Sequence, residues 1–161
     1  HRHVHDVVAP EVEPGAAQVM TFSHRGDQHS EKNGSATEPM RFIQFWILPS
    51  TRGLETRVQQ RQYTLADRTD RWLQIMGPAG TDGLDLAQDA RALVAYLTDR
   101  GTLEHAFAPG RGGYVYVIDG RVELDGDPLR TGDAAKVTGA AELTIRTDLA
   151  AEANTVLGRL A

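Results

Sequence analysis

Glycine-bearing turn signals cut the chain after residue 60 into apolar runs too short to be helices, and this punctuation limits the fold more than any other feature. Strand-like runs fall at 61–65, 72–76, 92–97, 103–108, 114–118, 122–124, 134–137, 142–146 and 155–160. Between them stand Gly77-Pro78-Ala79-Gly80, Pro109-Gly110-Arg111-Gly112-Gly113, Asp119-Gly120, Asp125-Gly126 and Thr131-Gly132-Asp133. Asp119-Gly120 reads as a two-residue hairpin turn, because glycine accepts the positive φ that such a turn needs. Many short strands at near-regular spacing predict an all-β barrel or sandwich. The one helical piece expected is short, at 149–154.

Two further apolar runs, 17–22 and 40–48, flank Gln28-His29-Ser30-Glu31. Both read as strands, the second ended by Pro49, with Phe45 and Trp46 on opposite faces. In an extended segment residues i and i+2 point the same way, which sends His29 and Glu31 into one space. An imidazole and a carboxylate converging there suit a divalent first-row metal that keeps open positions. A surface turn with a hydrogen-bonded histidine accounts for the same spacing. With no cysteine in the chain, disulfides and thiolate sites are excluded, and histidine and carboxylates are the strong ligands left. His1, His3 and His5 alternate along one face of a possible strand, either as an exposed polar face or as auxiliary ligands. His24 belongs to a turn on the same rim as His29. His105 alternates with Leu103 and Phe107 and reads as a core or interface histidine.

At 161 residues the chain is long enough for one domain or two small ones. A net charge of -5 argues against general binding to nucleic acid or anionic membranes. No apolar run is long enough to span a bilayer, and the chain opens on His1 with no signal-like segment. A cytoplasmic protein is the expectation.

An internal echo divides the chain. Val12 to Met20 lines up with Leu129 to Val137, with Gly15 and Gly132 in register and an alanine and an apolar residue at matching offsets. Two lobes follow: 1–71 and 72–161, with a surface-wrapped connector over 50–62. The second copy has no histidine where the first has His29, so a metal belongs to the first lobe alone.

Taken in order, Pro14-Gly15 before Gln18-Val19-Met20, His29-Ser30-Glu31, Thr37-Glu38-Pro39, Gln44-Phe45-Trp46-Ile47-Leu48-Pro49, Gly53-Leu54 with Arg57 and Gln60, Asp82-Gly83 with Gln88-Asp89, and Pro109-Gly110-Arg111 leading to Gly132-Asp133 form a pattern over nearly the whole chain. With it the sequence resembles the pirin family of bicupins, in its bacterial quercetin 2,3-dioxygenase-like branch. The resemblance implies two cupin jelly-roll β-barrels face to face, with a metal in the N-terminal one held by three histidines and a glutamate. His29 and Glu31 match two of those ligands. The family's other two come from an upstream H-x-H strand. Too few residues separate His3 from Pro14 for His1-Arg2-His3 to be that strand, so the first barrel is expected to be incomplete, or remodelled around a ligand such as His24.

The resemblance implies an oxidoreductase that uses a divalent metal, iron before nickel, manganese or zinc, and dioxygen on a flavonol or similar small enolic aromatic. Glu31 would be both ligand and catalytic base. The alternative it implies is a non-catalytic, metal-dependent regulatory or interaction module. An incomplete barrel leaves apolar lining and strand edges exposed. A homo-oligomer is therefore expected, with residues 1–8 as an exchanged strand.

Overall fold

A computed structural model of the chain describes residues 9, 11–23, 28–147 and 153–160. Its strands are β1 (Ala16–Thr21), β2 (Arg57–Gln62), β3 (Leu73–Pro78), β4 (Leu84–Leu86), β5 (Arg91–Leu97), β6 (Thr102–Ala106), β7 (Gly112–Asp119), β8 (Arg121–Leu124), β9 (Asp127–Arg130), β10 (Ala134–Val137), β11 (Glu142–Thr147) and β12 (Ala153–Leu160). A single 3-10 turn, Ala66–Arg68, is the only helical element among the described residues.

The strands form a six-stranded sheet in the order β10-β7-β12-β5-β3-β4, a four-stranded sheet β6-β11-β8-β9 and a separate pair β1-β2. Pairing is antiparallel except between β3 and β4. The all-β architecture expected from the turn-punctuated runs is thus the one the chain adopts.

Side-chain alternation in β5 explains the layering. Leu93, Ala95 and Leu97 point between the two large sheets, where they meet Val115 and Val117 of β7, Val122 and Leu124 of β8, and Leu143 and Ile145 of β11. The opposite face of the six-stranded sheet is also covered. Ala92 of β5, Ile75 and Met76 of β3 and Leu84 of β4 pack there against Ala17 and Val19 of β1. A strand buried on both faces has no need for polar residues at alternate positions, which is why Ala92 to Leu97 is apolar throughout.

The small sheet is tied to the large one through side chains. Gln59 of β2 donates from Nε2 to the Asp85 carbonyl (3.0 Å) and accepts from the Asp85 N–H (3.1 Å), so its amide substitutes for a peptide beside the edge strand β4. On the other face of the pair, Gln18 and Gln60 share a hydrogen bond of 2.9 Å. Gly15 enters β1 at φ +88°, with the Tyr63 carbonyl 2.7 Å from where a Cβ would sit. Only glycine fits that turn.

Several expectations need correction. Asp119-Gly120 is not a hairpin turn. Gly120 has the positive φ expected (+93°), but β7 lies in the six-stranded sheet and β8 in the four-stranded one, so the turn carries the chain between layers. Gly120 instead pairs with Thr131, accepting from its N–H at 2.9 Å. The two-residue hairpin is Asp125-Gly126, both at positive φ (51° and 96°), closing the β8–β9 pair at Leu124 and Asp127.

Residues 57–62, expected inside a connector, form β2. The run 40–48, expected as a strand, takes no regular structure and joins no ladder among the described residues. It is tethered by its ends: Arg41 forms an ion pair with Asp119, Gln88 donates to the Leu48 carbonyl (2.9 Å), and the Ser50 N–H donates to the Ala87 carbonyl (2.8 Å). Between these anchors Phe42 is 54%, Trp46 81% and Leu48 84% exposed. Of the helix expected at 149–154, Ala153 and Asn154 instead open β12, and the rest lies outside the described residues.

Candidate metal centre

His29 and Glu31 meet as the i, i+2 spacing predicts, His29 Nε2 lying 3.1 Å from Glu31 Oε1. They do so from an irregular segment after β1 rather than from a strand rim. The imidazole is largely covered and the carboxylate more open, their side chains being 15% and 40% exposed. Phe22, just past the end of β1, stacks on the His29 ring with centroids 5.0 Å apart and planes 26° from parallel. This contact fixes the ring plane and leaves the Nε2 edge directed at Glu31.

A third side chain closes the group. Gln44 Nε2 donates to Glu31 Oε1 at 3.1 Å and lies 3.2 Å from His29 Nε2. From sequence, Gln44 belongs to the apolar run 40–48 and to the pirin-like pattern, and neither gives it a role at the site. The available signal was that it is the one uncharged polar residue inside 42–48, where alternation offers no burial reason for an amide.

The chemistry of the pair fits a divalent cation. The pair brings an imidazole nitrogen and a carboxylate oxygen together, and both group types are strong ligands for first-row metals. Among the described residues no third histidine, cysteine or carboxylate joins them. His24 and the histidines at positions 1, 3 and 5, named above as possible further ligands, lie outside the described residues. So does the strand expected to be exchanged between subunits.

His105 lies elsewhere. On β6 its ring meets Trp72 edge-on (centroids 6.2 Å, 77°) and Phe107 likewise (4.9 Å, 75°), while the Trp72 indole N–H donates to the Glu104 carbonyl at 3.0 Å. These aromatic contacts place it at the rim of the apolar core, on the Phe107 side predicted by alternation.

No helix among the described residues is long and apolar enough to cross a membrane. Asp70, at φ 49°, accepts from the Thr98 hydroxyl (2.7 Å) and the Thr98 N–H (2.8 Å). These two hydrogen bonds, the hydroxyl's foremost, hold its carboxyl below the ordinary carboxylate range.

Residues 74–155 match the quercetinase C-terminal cupin domain. A protein of Mycobacterium tuberculosis is 34% identical over 133 residues, 79% of this chain and 52% of its own length. Quercetin 2,3-dioxygenase of Escherichia coli is 29% identical over 140 residues, 86% of this chain and 58% of its own. The chain therefore spans little more than half the length of these relatives. Among solved structures, the bacterial pirin YhhW of Escherichia coli in complex with nickel(II) superposes with a TM-score of 0.63 at 23% identity, over 71% of this chain and 48% of that one, a likeness of fold. With a domain match covering half its length and relatives along most of the rest, the chain belongs to the pirin family of cupins.

Proposed function

We propose that the chain is the metal-bearing part of a quercetin 2,3-dioxygenase-type oxidoreductase, using a divalent ion and dioxygen on a flavonol or similar enolic aromatic. The observation that carries this reading is the convergence of His29 Nε2 and Glu31 Oε1 in a chain whose relatives include a quercetin 2,3-dioxygenase and a nickel-bound pirin. In this reading residues 1–71 are the partial first cupin and 72–161 the second. Iron is the first choice of metal from the family resemblance, and nickel is the one a structural neighbour holds.

His29 and Glu31 would hold the ion, which supplies Lewis acidity toward the substrate's oxygens. Phe22 keeps the imidazole plane from turning, so Nε2 stays aimed at the site. The Glu31 carboxylate, the more exposed of the two, is placed to accept the substrate hydroxyl proton: the O–H bond breaks, the proton passes to the carboxylate, and the electron pair stays on the enolate oxygen. The test is flavonol consumption under oxygen after loading with iron(II) or nickel(II), followed by loss of the flavonol absorption band. Turnover in the native chain that falls at least a hundredfold in Glu31→Gln supports the reading, and unchanged turnover in that variant overturns it.

A second reading, a non-catalytic metal-dependent interaction protein, draws on the exposure of Phe42, Trp46 and Leu48. Its proposed occupant is a second copy of the chain, because an extended apolar segment without a ladder can pair with its own copy about a twofold axis. Light scattering distinguishes the cases. A dimer that Trp46→Glu converts to monomer supports it, and a native monomer at micromolar concentration rules it out.

A further inference from the structure

We propose that Gln44 is a positioning residue for the metal centre: its amide N–H holds the Glu31 carboxylate in place, and residues 72–161 hold Gln44. The proposal rests on the metal reading above and goes beyond it, since Gln44 gives nothing to the ion itself. Gln44 Nε2 donates to Glu31 Oε1 at 3.1 Å. An ionised carboxylate only accepts hydrogen bonds and an amide nitrogen only donates, so the contact runs in one direction alone. A carboxylate offers about four lone-pair sites, and one amide hydrogen leaves the others open to a cation. The His29 ring is steadied by Phe22 stacked on it, whereas the Glu31 side chain is 40% exposed. Glutamate is among the side chains that lose most rotamer freedom when fixed. A hydrogen bond that fixes it before the ion arrives takes that cost out of binding, as outer partners of metal ligands do in general.

Gln44 is itself held, although it is exposed and lies in a segment without regular structure. Before it, Arg41 forms an ion pair with Asp119 at the end of β7. After it, the Leu48 carbonyl accepts from Gln88 Nε2 (2.9 Å), and the Ser50 N–H donates to the Ala87 carbonyl (2.8 Å). The Gln88 amide is oriented in turn, because its Oε1 accepts from the Asp89 N–H at 2.8 Å. Arg111, whose side chain is largely buried, clamps Asp89 through both its carboxylate (2.6 Å) and its carbonyl (2.9 Å). These anchors all lie in 72–161, the part of the chain to which no metal ligand is assigned. It fixes the residue that orients one.

Two measurements test the proposal: zinc(II) binding by calorimetry, and the three-bond couplings along the Glu31 side chain in metal-free protein. They are made on the native chain and on Gln44→Leu, Gln88→Ala and His29→Ala, with the thermal midpoint of each variant as the check on folding. Positioning predicts zinc binding about tenfold weaker or more in Gln44→Leu, which cannot donate, and a smaller loss in Gln88→Ala, which frees the Leu48 anchor. It also predicts single-rotamer couplings for Glu31 in the native chain and averaged ones in Gln44→Leu, a change that a merely structural Gln44 would not produce. Native affinity in Gln44→Leu, with binding abolished in His29→Ala, overturns the proposal and leaves the metal centre standing. Native affinity in Gln88→Ala overturns the part assigned to residues 72–161. A native chain that takes up no zinc overturns the metal reading; the couplings then decide the positioning by themselves, and single-rotamer values in Gln44→Leu overturn it.

Discussion

Two glycine turns that resemble each other in sequence lead into very different surroundings. Gly15 (φ +88°) opens β1 and Gly132 (φ +86°) opens β10, and both strands begin with alanine. β10 joins β7 in the six-stranded sheet and closes over a core in which Val115, Val117, Val122, Leu143 and Ile145 are all fully buried. β1 pairs only with β2, and the two lie on the outer face of the six-stranded sheet, where Ala17 and Val19 are buried. The apolar run 40–48 that follows β1, by contrast, joins no ladder among the described residues and is exposed. The same local instruction thus makes a turn and a strand in both places. Whether apolar side chains further along are buried depends on their segment joining a sheet that faces another, which 40–48 does not.

This contrast sets an order of expected effects. Ile145→Ala, which opens a cavity between the two large sheets, should cost about 2–5 kcal/mol in denaturant-induced unfolding. A loss below about 1 kcal/mol would show that the core is looser than its burial suggests. Gln59→Leu removes both hydrogen bonds to the Asp85 backbone and should cost about 1–3 kcal/mol while loosening β1–β2 from the barrel, detectable as faster amide exchange in β2. Uniform exchange protection in that variant would mean that apolar packing alone holds the small sheet.

A pH effect follows at Asp70. Its folded-state carboxyl is held below its unfolded value by the Thr98 hydroxyl and N–H, so the folded protein binds the proton less readily than the unfolded chain. The contribution is complete above the unfolded carboxylate pKa of about 3.9 and is lost as pH falls through the lower folded value. Asp70→Asn should flatten the acid limb of the stability profile below pH of about 4. An unchanged acid limb would assign that limb to other carboxylates. Smallest of all, Trp46→Ser should change unfolding free energy by no more than about 0.5 kcal/mol, since the ring is already in water. A cost above about 2 kcal/mol would mean that the segment is packed in solution.

The sequence was most legible where strands are buried and bounded by turns. The run 134–137 coincides with β10, and the all-apolar stretch of β5 announces burial on both faces. It was least legible at edges. β9 contains Pro128, which argues against a strand, yet an edge position at the end of the four-stranded sheet accommodates it. β4 is only Leu84–Leu86, too short to carry a pattern. The Asp119-Gly120 error has a similar source: a positive φ can be read from Asp-Gly, but which sheet receives the next strand is a tertiary choice. The run 40–48 was read as a strand because its residues favour one, and it has no ladder because none of the described residues pairs with it. At the candidate centre the two-residue spacing of His29 and Glu31 was sufficient to bring them together. Gln44, thirteen residues further along, is brought to them only by the path of the chain.

Metal content decides the central claim, that a metal is held by the segment after β1 and not by the barrel. Chain stripped with chelator, reloaded with nickel(II) and dialysed should retain an equimolar ion, by elemental analysis, in the native and His105→Ala forms. His29→Ala should retain none while keeping the native thermal midpoint. Retention in His29→Ala with loss in His105→Ala, or no retained ion in the native chain, would contradict the account.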